Sequence, residues 1–480
     1  MVFSSLLFVF QFLPIALLLY YISPKKLKNL TLFVVSLVFY SWGEVRYFPI
    51  MIATILVNYC SALGIEYYDK KLAATDADGD GGARKKYARL RKLVFLAAVV
   101  LSLGALFVFK YLGFFTENIN SIFGASIPVA ALTLPLGISF YTFQTLSYTI
   151  DVYRGKVEAE HDFIDLSAFV TLFPQLIAGP IVRYTDIHRE LKERTVTAEA
   201  LDSGMEDFIL GLARKVLIAN NVGALWTEVE ALGFGSISSG LAWLGILAFT
   251  LQIYFDFSGY SQMAIGLGKM MGFNFPKNFD DPYISRSATE FWRRWHITLG
   301  SWFREYVYIP LGGSRCGKAR TMLNLFIVWA LTGFWHGASW NFVLWGLYFF
   351  VLLSIEKAGF LNFLNRHKVF SHIYALFVVV VGWALFAITD FSQLGVFLQR
   401  LFVPTALSHA SSPVGALYYL RNYAVSLLVG CWFSTAAAGR LYAAVRKRRG
   451  LRNLLLIVLF LLCTAYLVDS TYNPFLYFRF

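Results

Sequence analysis

Charged side chains are scarce in this sequence. Asp, Glu, Lys and Arg make up 15% of 480 residues, while 58% are hydrophobic and 18% aromatic. A soluble domain carries about 25% charged and roughly 45–50% apolar residues, so a water-soluble globular protein is excluded. Cysteine is scarce too. Cys60, Cys316, Cys431 and Cys463 lie far apart, with no Cys-x-x-Cys pair and no Cys/His spacing suited to a metal. A disulfide scaffold and a zinc module are therefore excluded, and the four read as small apolar fillers. No Gly-x-Ser-x-Gly elbow exists to present a serine nucleophile. Paired similar halves, which a repeat-built transporter or flippase should have, are not visible either. Nor does any module for reading nucleic acid interrupt the chain.

In place of charge the chain carries long apolar runs. A run of about 18 or more such residues reads as a transmembrane helix. They fall at 3–22, 29–42, 48–66, 93–113, 128–150, 238–271, 321–338, 340–356, 373–390, 416–440 and 452–468. The pattern predicts an all-α polytopic membrane protein, one integral-membrane domain over 1–480 with about eleven transmembrane helices. Met1 to Tyr21 has no basic leader and no small-residue cleavage site, and reads as a retained helix rather than a secretory signal. Two more apolar stretches, 164–180 and 205–221, look irregular; the first contains Pro174 and Gly179-Pro180, which break helices. Non-helical backbone at membrane depth survives only beside protein or a water-filled cavity, so re-entrant segments are expected there.

Lys and Arg set the orientation. They cluster at Lys25, Lys26 and Lys28, in a loop at 67–92, and again at 183–195, 286–320 and Arg446 to Arg449. Placing these in the cytoplasm puts the N-terminus and the tail at 469–480 outside. The net charge of +13 then follows from topology and anionic lipid. The insertion Asp76-Ala-Asp-Gly-Asp-Gly-Gly82 has the composition of a calcium loop but no closing Glu; it reads as a flexible polar loop, and no metal site is assigned.

Candidate chemistry lies between residues 250 and 345. Arginines and aromatics alternate too closely in 284–306 for a spanning helix. They suit a helix at the cytoplasmic interface, Trp and Phe inward and Arg outward. His296 sits within it, and by itself could equally be an interfacial ring bonded to backbone. Leu331-Thr-Gly-Phe-Trp-His-Gly-Ala-Ser-Trp340 places His336 at the junction of two apolar runs. An ionisable residue there is a functional hypothesis by default. With an ordinary pKa of about 6.5, His336 suits a general base, although a core histidine bonding across helices remains an alternative. Leu251-Gln-Ile-Tyr-Phe-Asp-Phe-Ser-Gly-Tyr-Ser-Gln262 interrupts a third run. Its Asp256 needs a partner, which Arg293 or Arg294 could supply, and reads either as a structural carboxylate or as part of a Ser–His–Asp set with Ser258.

Five ordered motifs carry a resemblance. Leu134-Pro-Leu-Gly-Ile-Ser-Phe-Tyr-Thr-Phe-Gln144, Phe173-Pro-Gln-Leu-Ile-Ala-Gly-Pro180, Tyr254-Phe-Asp-Phe-Ser-Gly-Tyr260, Phe291-Trp-Arg-Arg-Trp-His296 and Phe334-Trp-His-Gly337 closely resemble the membrane-bound O-acyltransferase family. The match runs over essentially the whole chain. It extends furthest, down to the opening Met1-Val-Phe-Ser-Ser5, with the branch serving bacterial alginate O-acetylation. The resemblance implies helices around a central funnel with His336 as catalytic histidine and His296 as the second active-site residue. Asp256, Ser258, Gln252, Trp335 and Asn278 would support the funnel, and Arg293, Arg294 and Arg304 would meet the donor. It further implies a bacterial inner membrane, acetyl-CoA as donor substrate with no permanently bound cofactor, and an extracytoplasmic SGNH-like serine acetyltransferase as partner. An exported polysaccharide, alginate first, would receive the acetyl group through that partner; peptidoglycan, cellulose and, with D-alanine, teichoic acid are the alternatives. The ending Phe475-Leu-Tyr-Phe-Arg-Phe480 looks like the tail of such machinery, in which Tyr477 would relay the acyl group; alone, it could be an aromatic interfacial belt.

Overall fold

The computed structural model describes residues 1–78, 80–129, 132–177, 179–403, 415–469 and 476, and every regular element among them is helical. Seven helices are long and apolar enough to cross a bilayer: Phe48–Asp76, Gly81–Lys110, Ala198–Leu232, Ser239–Met270, Trp340–Arg366, Lys368–Ala387 and Arg449–Asp469. Ala416–Phe433 and Ala436–Arg446, bent by 79°, add an eighth if taken as one span.

Against an expected count of about eleven, seven or eight helices among the described residues meet this measure of length and composition, and the difference has local causes. The first apolar run yields a helix of only 15 residues, Phe8–Ile22, below the ~20 a bilayer needs. The second yields Lys28–Glu44, 17 residues. The run at 128–150 is helical only from Ile138, because Gly137 before it takes a left-handed φ of 72°. Conversely, 205–221 is not re-entrant. It lies inside the continuous span Ala198–Leu232, which passes through a π-helical turn at Arg214–Ala219. The segment 67–92 is not a loop, since the helices Phe48–Asp78 and Gly81–Lys110 run through it. Asp80 caps the second of these, its carboxylate accepting the N–H groups of Gly82 at 2.9 Å and Ala83 at 3.0 Å.

The chain divides into two compact units, residues 1–205 with 264–276 and residues 206–263 with 277–480. In the first, the helix Ile138–Tyr153 is buried along nearly its whole length. One of its polar groups is answered from the long hairpin: Thr149 Oγ1 donates to Asn58 Oδ1 (2.6 Å), and Asn58 Nδ2 donates to Ser102 Oγ (2.9 Å). Such pairing is what hydrocarbon surroundings require. Residues 163–176 are broken as anticipated, into buried helices Phe163–Thr171 and Phe173–Leu176.

In the second unit, two spans touch backbone to backbone. A Cβ on Gly211 would lie 2.6 Å from the Gly259 carbonyl oxygen, and one on Gly259 2.7 Å from that of Gly211. Only glycine permits this approach, and it sets Lys215, one turn beyond Gly211, beside Asp256. The hairpin of Lys318–His336 and Trp340–Ile355 closes the same way, through Gly333 and Gly346.

Candidate active site

The expected single interfacial helix over 284–306 is two short helices with a break at His296. Ala288–Arg294 starts under double capping. Ser287 Oγ accepts the Glu290 N–H at 2.9 Å, and the fully buried Glu356 accepts Ala288 N–H (2.7 Å), Thr289 N–H (2.8 Å) and Thr289 Oγ1 (2.6 Å). A carboxylate at a helix N-terminus is stabilised by the unpaired N–H groups and the helix dipole. Phe291 and Trp295 are buried, and Arg293 is exposed, as the inward-aromatic pattern predicts.

His296 takes the left-handed conformation, φ 45° and ψ 54°, before the helix Ile297–Phe303 begins. For a residue with a Cβ this costs about 1–2 kcal/mol, so something must hold it. Asn278 does so. Its Oδ1 accepts Thr298 N–H (3.2 Å), Thr298 Oγ1 (2.9 Å) and His296 Nδ1 (3.1 Å), while its backbone oxygen accepts Ile297 N–H (2.9 Å). Because that atom receives a backbone N–H it is the amide oxygen, and His296 Nδ1 must therefore carry the proton. Nε2 is left as an unprotonated acceptor, and burial pushes the imidazole down to about 3, so the ring is neutral across the physiological range. Nε2 is buried with no hydrogen-bond partner among the described residues.

His336 ends the helix Lys318–His336 and is half-buried. Its ring lies edge-on to Trp345 (5.1 Å between centroids) and Phe386 (5.2 Å), with Trp335 at 5.0 Å. Both histidines line one cavity of about 150 Å³, walled mainly by Trp292, Trp295, Trp329 and Thr332. Trp335 also stands 6.1 Å from the His296 ring. Trp292 Nε1 and Asn278 Nδ2 are buried donors without a hydrogen-bond partner among the described residues.

The remaining sequence candidates part company here. Asp256, Ser258 and Gln252 do not line this cavity. Asp256 is not paired with Arg293 or Arg294: Lys215 Nζ lies 2.5 Å from its Oδ1, and the Leu476 N–H donates to its Oδ2 at 2.9 Å. With both oxygens so engaged, the Ser–His–Asp set left open by the sequence is not assembled. Arg294 is committed to Glu290 and Asp280, whereas Arg293 and Arg304 are exposed. Tyr477 lies outside the described residues. Sequence reading missed Lys215, Glu356 and Trp292. An ionisable residue within an apolar stretch was the available signal for the first two; the third lies in the motif 291–296, where the sequence singled out only the histidine and the arginines.

An all-helical, multi-span protein with two histidines on one aromatic-walled cavity is equipped for proton transfer away from bulk water. The model of the membrane-bound O-acyltransferase family (MBOAT) matches residues 138–399, and the chain belongs to that family. It is therefore a multi-pass membrane O-acyltransferase. Among similar proteins, the probable alginate O-acetylase AlgI of Pseudomonas aeruginosa is 44% identical over 80% of this chain and 72% of its own length. The peptidoglycan O-acetyltransferase of Helicobacter pylori is 36% identical over 75% of this chain and 71% of its own. The teichoic acid D-alanyltransferase of Bacillus subtilis is 28% identical over 54% and 67%.

Proposed function

We propose that this protein takes acetyl groups from acetyl-CoA on the cytoplasmic side of a bacterial inner membrane and delivers them for O-acetylation of an exported polysaccharide, alginate or an alginate-like polymer. The observation that carries this reading is the pair His296 and His336 on one small apolar cavity, in a chain 44% identical to a probable alginate O-acetylase. About 150 Å³ accommodates a group of several heavy atoms, which suits a short acyl chain.

His336 removes the proton from the accepting hydroxyl as its oxygen attacks the thioester carbonyl. The tetrahedral oxyanion is met by a buried N–H donor, for which Trp292 Nε1 on the cavity wall is the candidate. His296, whose Nε2 is an acceptor, orients the hydroxyl rather than stabilising the oxyanion. Collapse expels the coenzyme thiolate, which recovers the proton from His336. Arg293 and Arg304 meet the donor's phosphates. The hydroxyl is that of Tyr477, which passes the acetyl group to the serine of an extracytoplasmic SGNH-like partner. The buried position of the neighbouring Leu476 supports this.

Deleting the gene should remove acetyl esters from the purified polymer, measured by NMR, and a plasmid copy should restore them. An unchanged acetyl content would contradict the reading; lost D-alanyl esters, or lost acetyl on peptidoglycan or cellulose alone, would redirect it to those polymers. The orientation has its own test. In a cysteine-free variant, a cysteine at position 80 should resist an impermeant thiol reagent in intact cells and react after lysis, and one at position 480 should react in both. Labelling of position 80 in intact cells would overturn the topology.

A further inference from the structure

We propose that Lys215 and Asp256 form a latch that holds the chain at Leu476 inside the protein. The pair sits in the second unit, on the spans Ala198–Leu232 and Ser239–Met270 where they cross at Gly211 and Gly259. Both side chains are almost wholly enclosed, 2% and 3% exposed, with Nζ 2.5 Å from Oδ1. Charges at membrane depth are costly unless they compensate one another, so the pairing by itself is unsurprising.

The second carboxylate oxygen is what gives the pair a further role. Asp256 Oδ2 accepts the backbone N–H of Leu476 at 2.9 Å. A hydrogen bond to an ionised acceptor is roughly twice as strong as a neutral one. Leu476 itself is 4% exposed and belongs to the same hydrophobic cluster as Phe255, Phe257 and Ile218. Leu476, seven residues beyond the helix Arg449–Asp469, is thus held in the core. The local distortion fits the task. Lys215 lies in the π-helical turn Arg214–Ala219, whose extra residue per turn rotates a side chain relative to a regular helix.

Lys215 orders and neutralises Asp256, and Asp256 grips the tail through a main-chain group, independently of the side chain at 476. Tyr477 follows immediately. Lys215 and Asp256 are positioning residues, acting through the tail. The consequence for acyl transfer rests on the relay reading above; the docking itself does not.

The test uses full-length protein with Cys60, Cys316, Cys431 and Cys463 replaced and Leu476→Cys introduced, which preserves the amide. Labelling of that cysteine by a maleimide in detergent is the first readout, polymer acetylation in cells the second. Asp256→Leu with Lys215→Met removes both charges at similar volume, a change that buried ion pairs often tolerate without loss of stability. It should speed labelling at least about tenfold, as expected when ~1.4 kcal/mol of docking is lost, and bring acetylation down to the Tyr477→Phe level. The exchange Asp256→Lys with Lys215→Asp restores a pair between the spans but offers the tail an ammonium, so it too should release it. A protected cysteine in either folded variant, with acetylation intact, would reduce the pair to a tie between two helices and overturn the proposal. Tyr477→Phe should leave the cysteine protected. If it also leaves acetylation intact while the latch variants expose the tail, the relay reading fails and the latch stands.

Discussion

Cells carrying His336→Ala in place of the natural protein should insert and accumulate it normally, yet make polymer with on the order of 1% of the usual acetyl content or less. A positioned general base contributes about 10²–10⁴-fold, and this ring is the half-buried one of the two on the cavity. Folding should survive, because His336 ends its helix and the Gly333–Gly346 contact that closes the hairpin does not involve its side chain. His336→Gln, which keeps volume and polarity but takes up no proton, should be as inactive as the alanine variant. The pH profile separates the two histidines. His296 is held near 3 by burial and contributes no ionisation between about pH 5 and 8. A base must be unprotonated to act, so the rate should fall on the acid side with a single-proton slope, and Asn278→Ala should not shift that limb. Two protons on the acid limb would show that His296 titrates with His336.

The sequence made this prediction possible because histidines are conspicuous in apolar runs. His336 between two glycines and His296 among tryptophans stand out by composition alone. What joins them was not legible. The cavity depends on a left-handed turn at His296, held by an asparagine 18 residues earlier, and on Glu356, 68 residues beyond Ala288, where it caps the helix start. Neither spacing has a periodic signature. Hydropathy likewise recovered the long spans Ser239–Met270 and Gly81–Lys110, but it cannot tell a spanning helix from a shorter buried one such as Ile138–Tyr153. It also misread 205–221, because Arg214 and Lys215 look like a break when only the residue sequence is seen. Lys215 is tolerated there by Asp256, a partner 41 residues away on another span. The Arg293 or Arg294 pairing expected for Asp256 was reasonable by charge and wrong by geometry, since Arg294 answers Glu290 four residues before it.

Tyr477→Phe should eliminate polymer acetylation almost as completely as His336→Ala. The change removes one oxygen and leaves the ring. If the tail were only an aromatic anchor at the membrane interface, the variant would be indistinguishable from wild type. A tyrosine hydroxyl ordinarily has a pKa of about 10 and is a poor nucleophile at neutral pH, so it needs a base within reach. His336 is that base in the proposed sequence. Phe475→Leu tests the surrounding apolar packing and should retain part of the activity, because it leaves the hydroxyl in place. Full acetylation with Tyr477→Phe would end the relay hypothesis and leave His336 to act on an acceptor brought by the partner protein.

Acyl transfer at the His296–His336 cavity is open to one direct measurement on the purified protein reconstituted in lipid vesicles. Given acetyl-CoA labelled in the acetyl group, the wild-type protein should release free thiol and carry one labelled acetyl on its C-terminal peptide, located by mass spectrometry at Tyr477. His336→Ala should do neither. Equal thiol release by the wild type and the His336→Ala variant, with no labelled peptide in either, would contradict the account.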